Sequence, residues 1–327
     1  MKRSALTGFA AVLFILSIFT SSCSKSNDVN TGPVTEAPDT LSAGWSKVSV
    51  TNEVLADVFF QNNSVGYALG KSLYKTTDGG NSWTKLNAKF SYYSNLAVTN
   101  DGKIFVAGGT DTIYRSADGG ANFTFIKLAY TGIFDVLFID NNNGYAPYSG
   151  GLLQTADGGV TWTPVSPVTG LNFTTSIYRT GSFISNTAAW IADGSNIFKA
   201  NGNTNTWVKA NLSGVPASTP ASIYAASASV VYASFSTGQI FKSVDGGANF
   251  SQIANYGSNL SGFADLHFID ANNGYLSFGR KLFKTSDGGT TWQAVVSLAT
   301  ANFSEIHFTD ATHGWACTSN GNIIKLN

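Results

Sequence analysis

The residues best suited to chemistry form two acid–histidine pairs near the C-terminus: Asp265-x-His267 and Glu305-x-His307. In each pair one residue separates the acid from the histidine, so on a β-strand both polar side chains lie on the same face. Carboxylates and imidazoles are ligands that a divalent metal accepts. The pattern therefore gives a metal hypothesis at what we expect to be first strands around a central channel.

A structural interpretation of these pairs stands beside the metal hypothesis. Each carboxylate would accept hydrogen bonds from the neighbouring backbone, and each histidine would be a satisfied core residue. Two equivalent positions elsewhere in the chain carry Phe59 and Leu137 in place of the histidine. We therefore predict no metal and no cofactor, and we keep the two pairs as a speculative channel site.

The carboxylates do not offer an evident hydrolytic pair. A glycosidase needs two placed carboxyl groups, and the chain has 19 Asp and Glu residues. Most of them recur at fixed positions of a repeat or lie in the N-terminal segment. Four fall outside that pattern: Glu53, Asp101, Asp111 and Asp193. We predict no catalytic residue.

The most regular repeat of the chain is an Asp-Gly-Gly segment. Five copies align without gaps: KTTDGGNSW (75–83), RSADGGANF (115–123), QTADGGVTW (154–162), KSVDGGANF (242–250) and KTSDGGTTW (284–292). A sixth, KANGNTNTW (199–207), has lost the Asp. The glycine pair permits positive φ in a tight hairpin, and Asp side chains accept backbone N–H groups within turns.

We assign structural roles to the repeated residues of these segments. The acids close the turns: Asp78, Asp118, Asp157, Asp245 and Asp287. The aromatic residues pack against the sheet: Trp83, Phe123, Trp162, Trp207, Phe250 and Trp292.

A second motif, an aromatic residue within a short apolar strand, precedes each segment and occurs seven times. Its copies lie about 40 residues apart, as in Gly66-Tyr67, Gly144-Tyr145 and Gly314-Trp315. A period of this length with short strands is typical of propeller blades. The sequence therefore predicts an all-β protein, a seven-bladed β-propeller of four-stranded antiparallel blades.

The two ends of the chain account for the seventh blade. The last repeat stops before its fourth strand, and residues 44–50 (GWSKVSV) match the segment that follows each Asp-Gly-Gly turn. We expect this N-terminal strand to join the C-terminal blade and to close the ring, which leaves no open sheet edge between the first and last repeats.

The Ser/Thr-x-Asp-Gly-Gly-x-x-aromatic segment resembles the Asp-box, or BNR repeat. With the preceding pattern, as in GFADLHFIDANNGYLSF (262–278), residues 44–327 resemble the photosystem II assembly/stability-factor propellers. That resemblance implies a scaffold role through protein contacts, without catalysis. The photosynthetic members have an arginine-rich patch, whereas this chain, after its first 22 residues, has only Arg115, Arg179 and Arg280.

Two alternatives remain open. Asp-boxes also occur in sialidases, which implies a sialidase-like glycoside hydrolase. That activity would need three arginines around a carboxylate, and Arg115 occupies a repeat position. A glycan-binding module without catalysis is the second alternative.

The N-terminus predicts export. Residues 1–22 have a basic start, an apolar stretch and small residues before Cys23, which resembles a bacterial lipoprotein signal peptide. The resemblance implies that Cys23 is lipidated, that 23–43 form a flexible tether and that 44–327 form the propeller. The expected location is the bacterial cell envelope, at the outer membrane or cell surface, with membrane contact through the lipid alone.

The composition limits the partners. The formal net charge is zero, so nothing indicates electrostatic attraction to nucleic acid. We predict an unidentified protein or peptide partner, with a glycan as the alternative. The contacts are expected in segments that depart from the repeat: Tyr92, Tyr93, 164–180 and 208–222.

Overall fold

The computed structural model describes residues 38–327 apart from 91–94, 109, 166–180, 194–195, 203–205, 213–219, 236 and 257–263. Several predicted features therefore lie outside the described residues: the signal peptide, Cys23, most of the tether, Tyr92, Tyr93 and the larger parts of the two long segments. Among the described residues there is no helix, and so none that is long and apolar enough to cross a membrane.

Seven antiparallel sheets form the fold, which confirms the predicted seven-bladed propeller. The strands of blades 1 to 3 are β3 (Asp57–Phe60), β4 (Gly66–Leu69), β5 (Ser72–Thr76), β6 (Thr84–Lys89); β7 (Asn95–Val98), β8 (Ile104–Ala107), β9 (Thr112–Ser116), β10 (Thr124–Lys127); β11 (Leu137–Phe138), β12 (Gly144–Tyr148), β13 (Gly151–Thr155) and β14 (Thr163–Pro164). In each blade the four strands pair in chain order.

Blades 4 to 6 repeat the arrangement, and blade 7 begins with three strands of its own. These strands are β15 (Gly181–Ser185), β16 (Ala188–Asp193), β17 (Asn196–Ala200), β18 (Trp207–Lys209); β19 (Pro220–Ala225), β20 (Val231–Phe235), β21 (Gln239–Ser243), β22 (Ser251–Asn255); β23 (Ala264–Phe268), β24 (Gly274–Phe278), β25 (Lys281–Thr285), β26 (Gln293–Ser297); β27 (Phe303–Phe308), β28 (Gly314–Thr318) and β29 (Asn322–Leu326). The two N-terminal strands are β1 (Thr40–Leu41) and β2 (Trp45–Ser49).

The first strand of each blade faces the centre of the ring. Neighbouring first strands contact one another all the way round, from β3 through β7, β11, β15, β19, β23 and β27 back to β3. Second strands are buried along nearly their whole length because blades cover them on both sides. Fourth strands form the outer rim and are the most exposed.

The N-terminal segment closes the ring as predicted and adds one contact that was not predicted. Strand β2 pairs with β29, with Trp45 opposite Leu326 and Ser49 opposite Asn322. Strand β1 pairs with β26, so it is a fifth strand on blade 6. The segment from Thr40 to Leu41 was expected to belong to the tether, and the propeller therefore begins before residue 44. We call residues 38–49 the N-terminal clasp, since they hold blades 6 and 7 together.

The two sequence motifs meet at the interfaces between blades, which we call seams. At the seam between blades 7 and 1, the Trp315 ring stacks on Phe60 with 3.4 Å between centroids. Its Nε1 donates to the Gly79 carbonyl at 3.0 Å, in the Asp-Gly-Gly turn of blade 1. The aromatic residue of one blade thus packs under the turn of the next. This contact explains why both motifs recur with the same period.

A glycine precedes the aromatic residue in four of the seven motifs, and it has a steric reason. A Cβ at Gly314 would lie 2.0 Å from the Phe308 ring, and one at Gly274 would lie 2.5 Å from Phe268. In these two blades the phenylalanine of the first strand therefore occupies the space that a side chain at the glycine would need.

Candidate functional site

The acid–histidine pairs lie on the first strands, as the pattern predicted, and Asp265 connects three blades. Its Oδ1 accepts from Leu266 N at 2.9 Å and from the Ser222 hydroxyl at 3.0 Å. Its Oδ2 accepts from Ile306 N of blade 7 at 3.0 Å. Asp57 makes the equivalent bond to blade 2, with Leu96 N at 2.7 Å from Oδ2.

These contacts agree with the structural interpretation, in which the first-strand acids accept hydrogen bonds from neighbouring backbone. The carboxylates of Asp57 and Asp265 are buried and accept backbone N–H groups of the next blade. Such charge-assisted bonds are among the stronger ones in proteins. The two acids hold neighbouring first strands side by side. The carboxylate oxygens that make these bonds accept from protein groups and not from a ligand.

The histidines belong to an arc of rings around the inner wall. The centroids of Tyr224 and His267 are 4.9 Å apart, those of His267 and His307 are 5.4 Å apart, and those of His307 and Phe59 are 4.7 Å apart. The arc spans blades 5, 6, 7 and 1. No group of three or more His, Cys, Asp or Glu side chains that could hold a metal ion occurs among the described residues.

The repeated acids are unsuited to proton transfer. In blade 6 Asp287 accepts from Thr291 N, Thr291 Oγ1 and Thr285 Oγ1. These hydrogen bonds, with the Thr291 side chain as the largest cause, lower the pKa of Asp287 to about 2. The pKa values of Asp118 and Asp157 are also lowered to about 2 by their turn contacts. A general acid near neutral pH needs a raised pKa, so these turns are structural.

Cys317 is equally unsuited to nucleophilic chemistry. The side chain is fully buried, and burial raises the pKa of its thiol well above the usual value. The thiolate is the reactive form. Cys317 is therefore part of the core between blades 7 and 1, beside Leu55 and Trp315.

The two ends of the ring differ in construction. One end, the turn face, carries the Asp-Gly-Gly turns and the links between first and second strands. There Asp140, Asp270 and Asp310 accept backbone N–H groups of their own turns. The opposite end, the linker face, carries the links from each blade to the next. The described ends of two segments predicted to make partner contacts, at Val165 and Ala210, are links of this kind.

A cleft on the linker face, between blades 6 and 7, was not predicted from the sequence. It encloses about 230 Å³, including the part open to solvent. Its polar wall comes from the clasp and from blade 7: Asp39, Lys47, Thr318, Asn320 and Asn322. A smaller apolar part of its lining comes from Leu298, Ala301 and Ile324.

Hydrogen bonds fix most of the polar wall of this cleft. Lys47 Nζ donates to Asp39 Oδ2 at 2.6 Å, and Ala299 N donates to Asp39 Oδ1 at 2.8 Å. Asn320 Oδ1 accepts from the Thr318 hydroxyl at 2.8 Å and from Asn322 Nδ2 at 2.9 Å. These segments are far apart in the sequence, and only the ring closure brings them together.

The comparisons with known proteins show the fold. The sequence matches no protein-family model, and no curated protein matches it significantly. The structure described as "YCF48 bound to D1 peptide" superposes with a TM-score of 0.72 at 18% identity, covering 90% of this chain and 99% of that one. YCF48 from Cyanidioschyzon merolae gives a TM-score of 0.66 at 21% identity, covering 87% and 99%.

A glycoside hydrolase is also similar in structure. The GH74 enzyme of Niastella koreensis gives a TM-score of 0.69 at 15% identity, covering 86% of this chain and 53% of that one. This chain thus corresponds to about half of the enzyme.

Proposed function

We propose that this chain is a non-catalytic propeller that binds a peptide or protein partner and acts as an interaction or assembly scaffold. The observation that carries the proposal is the similarity over nearly the whole length of YCF48, whose structure holds a D1 peptide. The hydrogen bonding of the acids supports the non-catalytic part, since the turn acids and Asp265 are engaged in structural contacts. We also assign the Asp-Gly-Gly turns to the Asp-box, or BNR, type on their sequence and hydrogen bonds.

The linker face is the proposed binding surface. On the turn face the repeated acids and amides bond within their own turns or to the neighbouring blade, as Asn63 does to Asp310. The linker face carries the described links between blades, such as residues 128–136 and 298–302, and loops on a rigid scaffold commonly carry binding.

Selection from a random peptide display library against the full-length protein tests this proposal. We expect peptides that bind saturably and compete with one another for one site. An oligosaccharide array and a reducing-sugar release assay with the same protein test the glycan alternatives. Saturable oligosaccharide binding or sugar release, with no peptide selected, would overturn the proposal.

We further propose that the chain is exported and anchored to the bacterial cell envelope through lipidated Cys23, with the segment before the clasp as tether. The small residues before Cys23 support this. Detergent-phase partitioning and mass analysis of the mature N-terminus test it against a Cys23→Ser variant. An unmodified N-terminus, or equal partitioning of the two proteins, contradicts lipidation.

A further inference from the structure

The cleft between blades 6 and 7 has hydrogen-bond donors that the protein uses only in part. The Lys47 ammonium has three N–H groups and donates one to Asp39. The Asn320 amide nitrogen donates to no protein atom within the part of the chain that the structure describes, although its oxygen accepts two bonds. The wall therefore presents two donors, each on an exposed side chain that one end of the cleft's hydrogen-bond network holds.

The same wall presents acceptors beside these donors. Asp39 accepts one bond at each oxygen, which leaves further lone pairs. The hydrogen bond from Ala299 N, followed by that from Lys47, lowers the pKa of Asp39. At neutral pH the carboxyl group is therefore ionised, and it can accept hydrogen bonds but not donate them. Asn322 Nδ2 donates to Asn320, and Asn322 Oδ1 accepts no hydrogen bond from the described protein atoms.

Charge and size restrict the ligand. Asp39 and Lys47 form an ion pair, so their charges cancel and a neutral group is favoured over a charged one. The cleft is open to solvent and far smaller than a pocket for a drug-sized molecule, so it has room only for the tip of a side chain. One side chain of a larger partner fits this description.

A carboxamide has the matching chemistry, with one acceptor oxygen and two N–H donors in a plane. Its oxygen would accept from Lys47 or Asn320, and its nitrogen would donate to Asp39 or Asn322. Its methylene groups would contact the apolar part of the lining. We propose that this cleft receives an Asn or Gln side chain of the bound peptide, an inference that rests on the proposed peptide binding.

The peptides selected from the display library provide the first test, with full-length protein throughout. We expect the binders to share Asn or Gln at one fixed position. Replacing that residue by the corresponding acid should weaken binding about three- to ten-fold, since the acid loses both N–H donors and adds a charge at a partly exposed site. An equally strong acid-containing peptide would contradict the proposal.

An Asn320→Asp variant tests the cleft itself. The new side chain keeps an oxygen for Thr318 and Asn322 but loses the amide donor and adds a negative charge. We expect about ten-fold weaker binding of the carboxamide peptide. A peptide with Lys at the fixed position should lose less affinity for this variant than the carboxamide peptide, or gain affinity, because the variant cleft is anionic.

The turn face offers a matched control. There the Thr99 hydroxyl donates to Asp101 Oδ1 at 2.6 Å, and Lys103 N donates back to Thr99 Oγ1 at 3.1 Å. Residues 318–322 form the same hydrogen-bond pattern, with Asn322 N at 3.0 Å from Thr318 Oγ1. Asp101→Asn alters the same kind of turn at the opposite end of the ring and should leave peptide affinity unchanged.

The outcomes separate the two proposals. If no peptide binds, the proposed function fails and the cleft proposal with it. If peptides bind without a shared carboxamide, or bind Asn320→Asp as tightly as the wild type, only the cleft proposal fails. Competition by a neutral monosaccharide for the selected peptide would likewise overturn the carboxamide assignment in favour of a sugar hydroxyl site.

Discussion

Two seams of the same ring are built from the same repeat and differ in strength. Between blades 5 and 6, the Tyr232 ring stacks on Phe268 at 3.7 Å between centroids, and its hydroxyl donates to the Gly288 carbonyl at 3.2 Å. Lys242 lies 5.1 Å from the same ring and donates to that carbonyl at 3.1 Å. The turn, the cation and the aromatic ring therefore form one unit.

The seam between blades 3 and 4 lacks several of these parts. Its stacked rings, Tyr145 and Phe183, are 4.9 Å apart. Gln154 occupies the position of Lys242, and segment 199–207 of blade 4 has neither the Asp nor the glycine pair. Blade 3 also has two strands of only two residues, β11 and β14.

The comparison shows how a repeat tolerates decay. In a ring each blade is held on two sides, so one weak seam is supported by its neighbours. Local stability then varies around the ring although the architecture is unchanged. The following changes test whether the difference between the two seams is as large as their contacts indicate.

The largest effect is expected from removing the stacked ring. Tyr232 is fully buried, and Tyr232→Ala should lower the free energy of unfolding by about 4 kcal/mol. Tyr145→Ala should cost about 1 kcal/mol less, because its ring is farther from its partner. Denaturant unfolding of both variants measures the difference. Equal losses would show that the stacking distance does not distinguish the seams.

Acid should remove part of the advantage of the stronger seam. The pKa of Asp287 is about 2 in the folded protein against a reference value of 3.8. A lowered pKa stabilises the fold above the unfolded value and ceases to do so as the pH falls from about 4 through 2. Blade 4 has no such acid in its turn segment.

Hydrogen exchange at pH 4 and pH 2, corrected for intrinsic rates, measures this effect. Protection of blade 6 should decrease, while that of β16 and β17 in blade 4 serves as the internal control. Asp287→Asn should reduce the pH dependence of blade 6 over this range, and the part due to Asp270, whose pKa the Asn273 side chain also lowers, should remain. A parallel loss of protection in both blades would indicate global acid unfolding.

The cation of the stronger seam should contribute less than its ring. Lys242→Gln removes the contact with Tyr232 and the hydrogen bond to Gly288, and it reproduces the residue found at Gln154. We expect a loss of about 1 kcal/mol in the free energy of unfolding. Lys242→Met keeps much of the apolar stem and separates packing from charge; equal stability of this variant and the wild type would exclude a role for the charge.

The sequence predicted the architecture because its signals are local and repeated. The Asp-Gly-Gly turns, the aromatic strands and the closing segment around Trp45 each carry their own pattern. Strand β1 was missed since Thr40 and Leu41 have no periodicity to read. The first-strand position of Asp265 was predicted as well, together with the bond to a neighbouring blade that the structure shows.

The cleft could not be predicted in the same way. Asp39, Asn320 and Asn322 become neighbours only when the clasp crosses from blade 6 to blade 7. One local signal existed, since the Thr-x-Asn-Gly-x segment at 318–322 resembles Thr99-Asn-Asp-Gly-Lys103. That signal indicates a turn, and nothing in it shows that the turn faces a second segment.

The smallest effect is expected from Gln154→Lys, which returns the cation to the weak seam. A lysine there would lie over the Tyr145 ring, a contact worth about 0.5 kcal/mol at an exposed site. Blade 4 offers no glycine pair for the second contact that Lys242 makes, so we expect at most this gain in denaturant unfolding. A gain as large as the loss in Lys242→Gln would mean that one side chain, and not the lost turn, accounts for the difference between the seams.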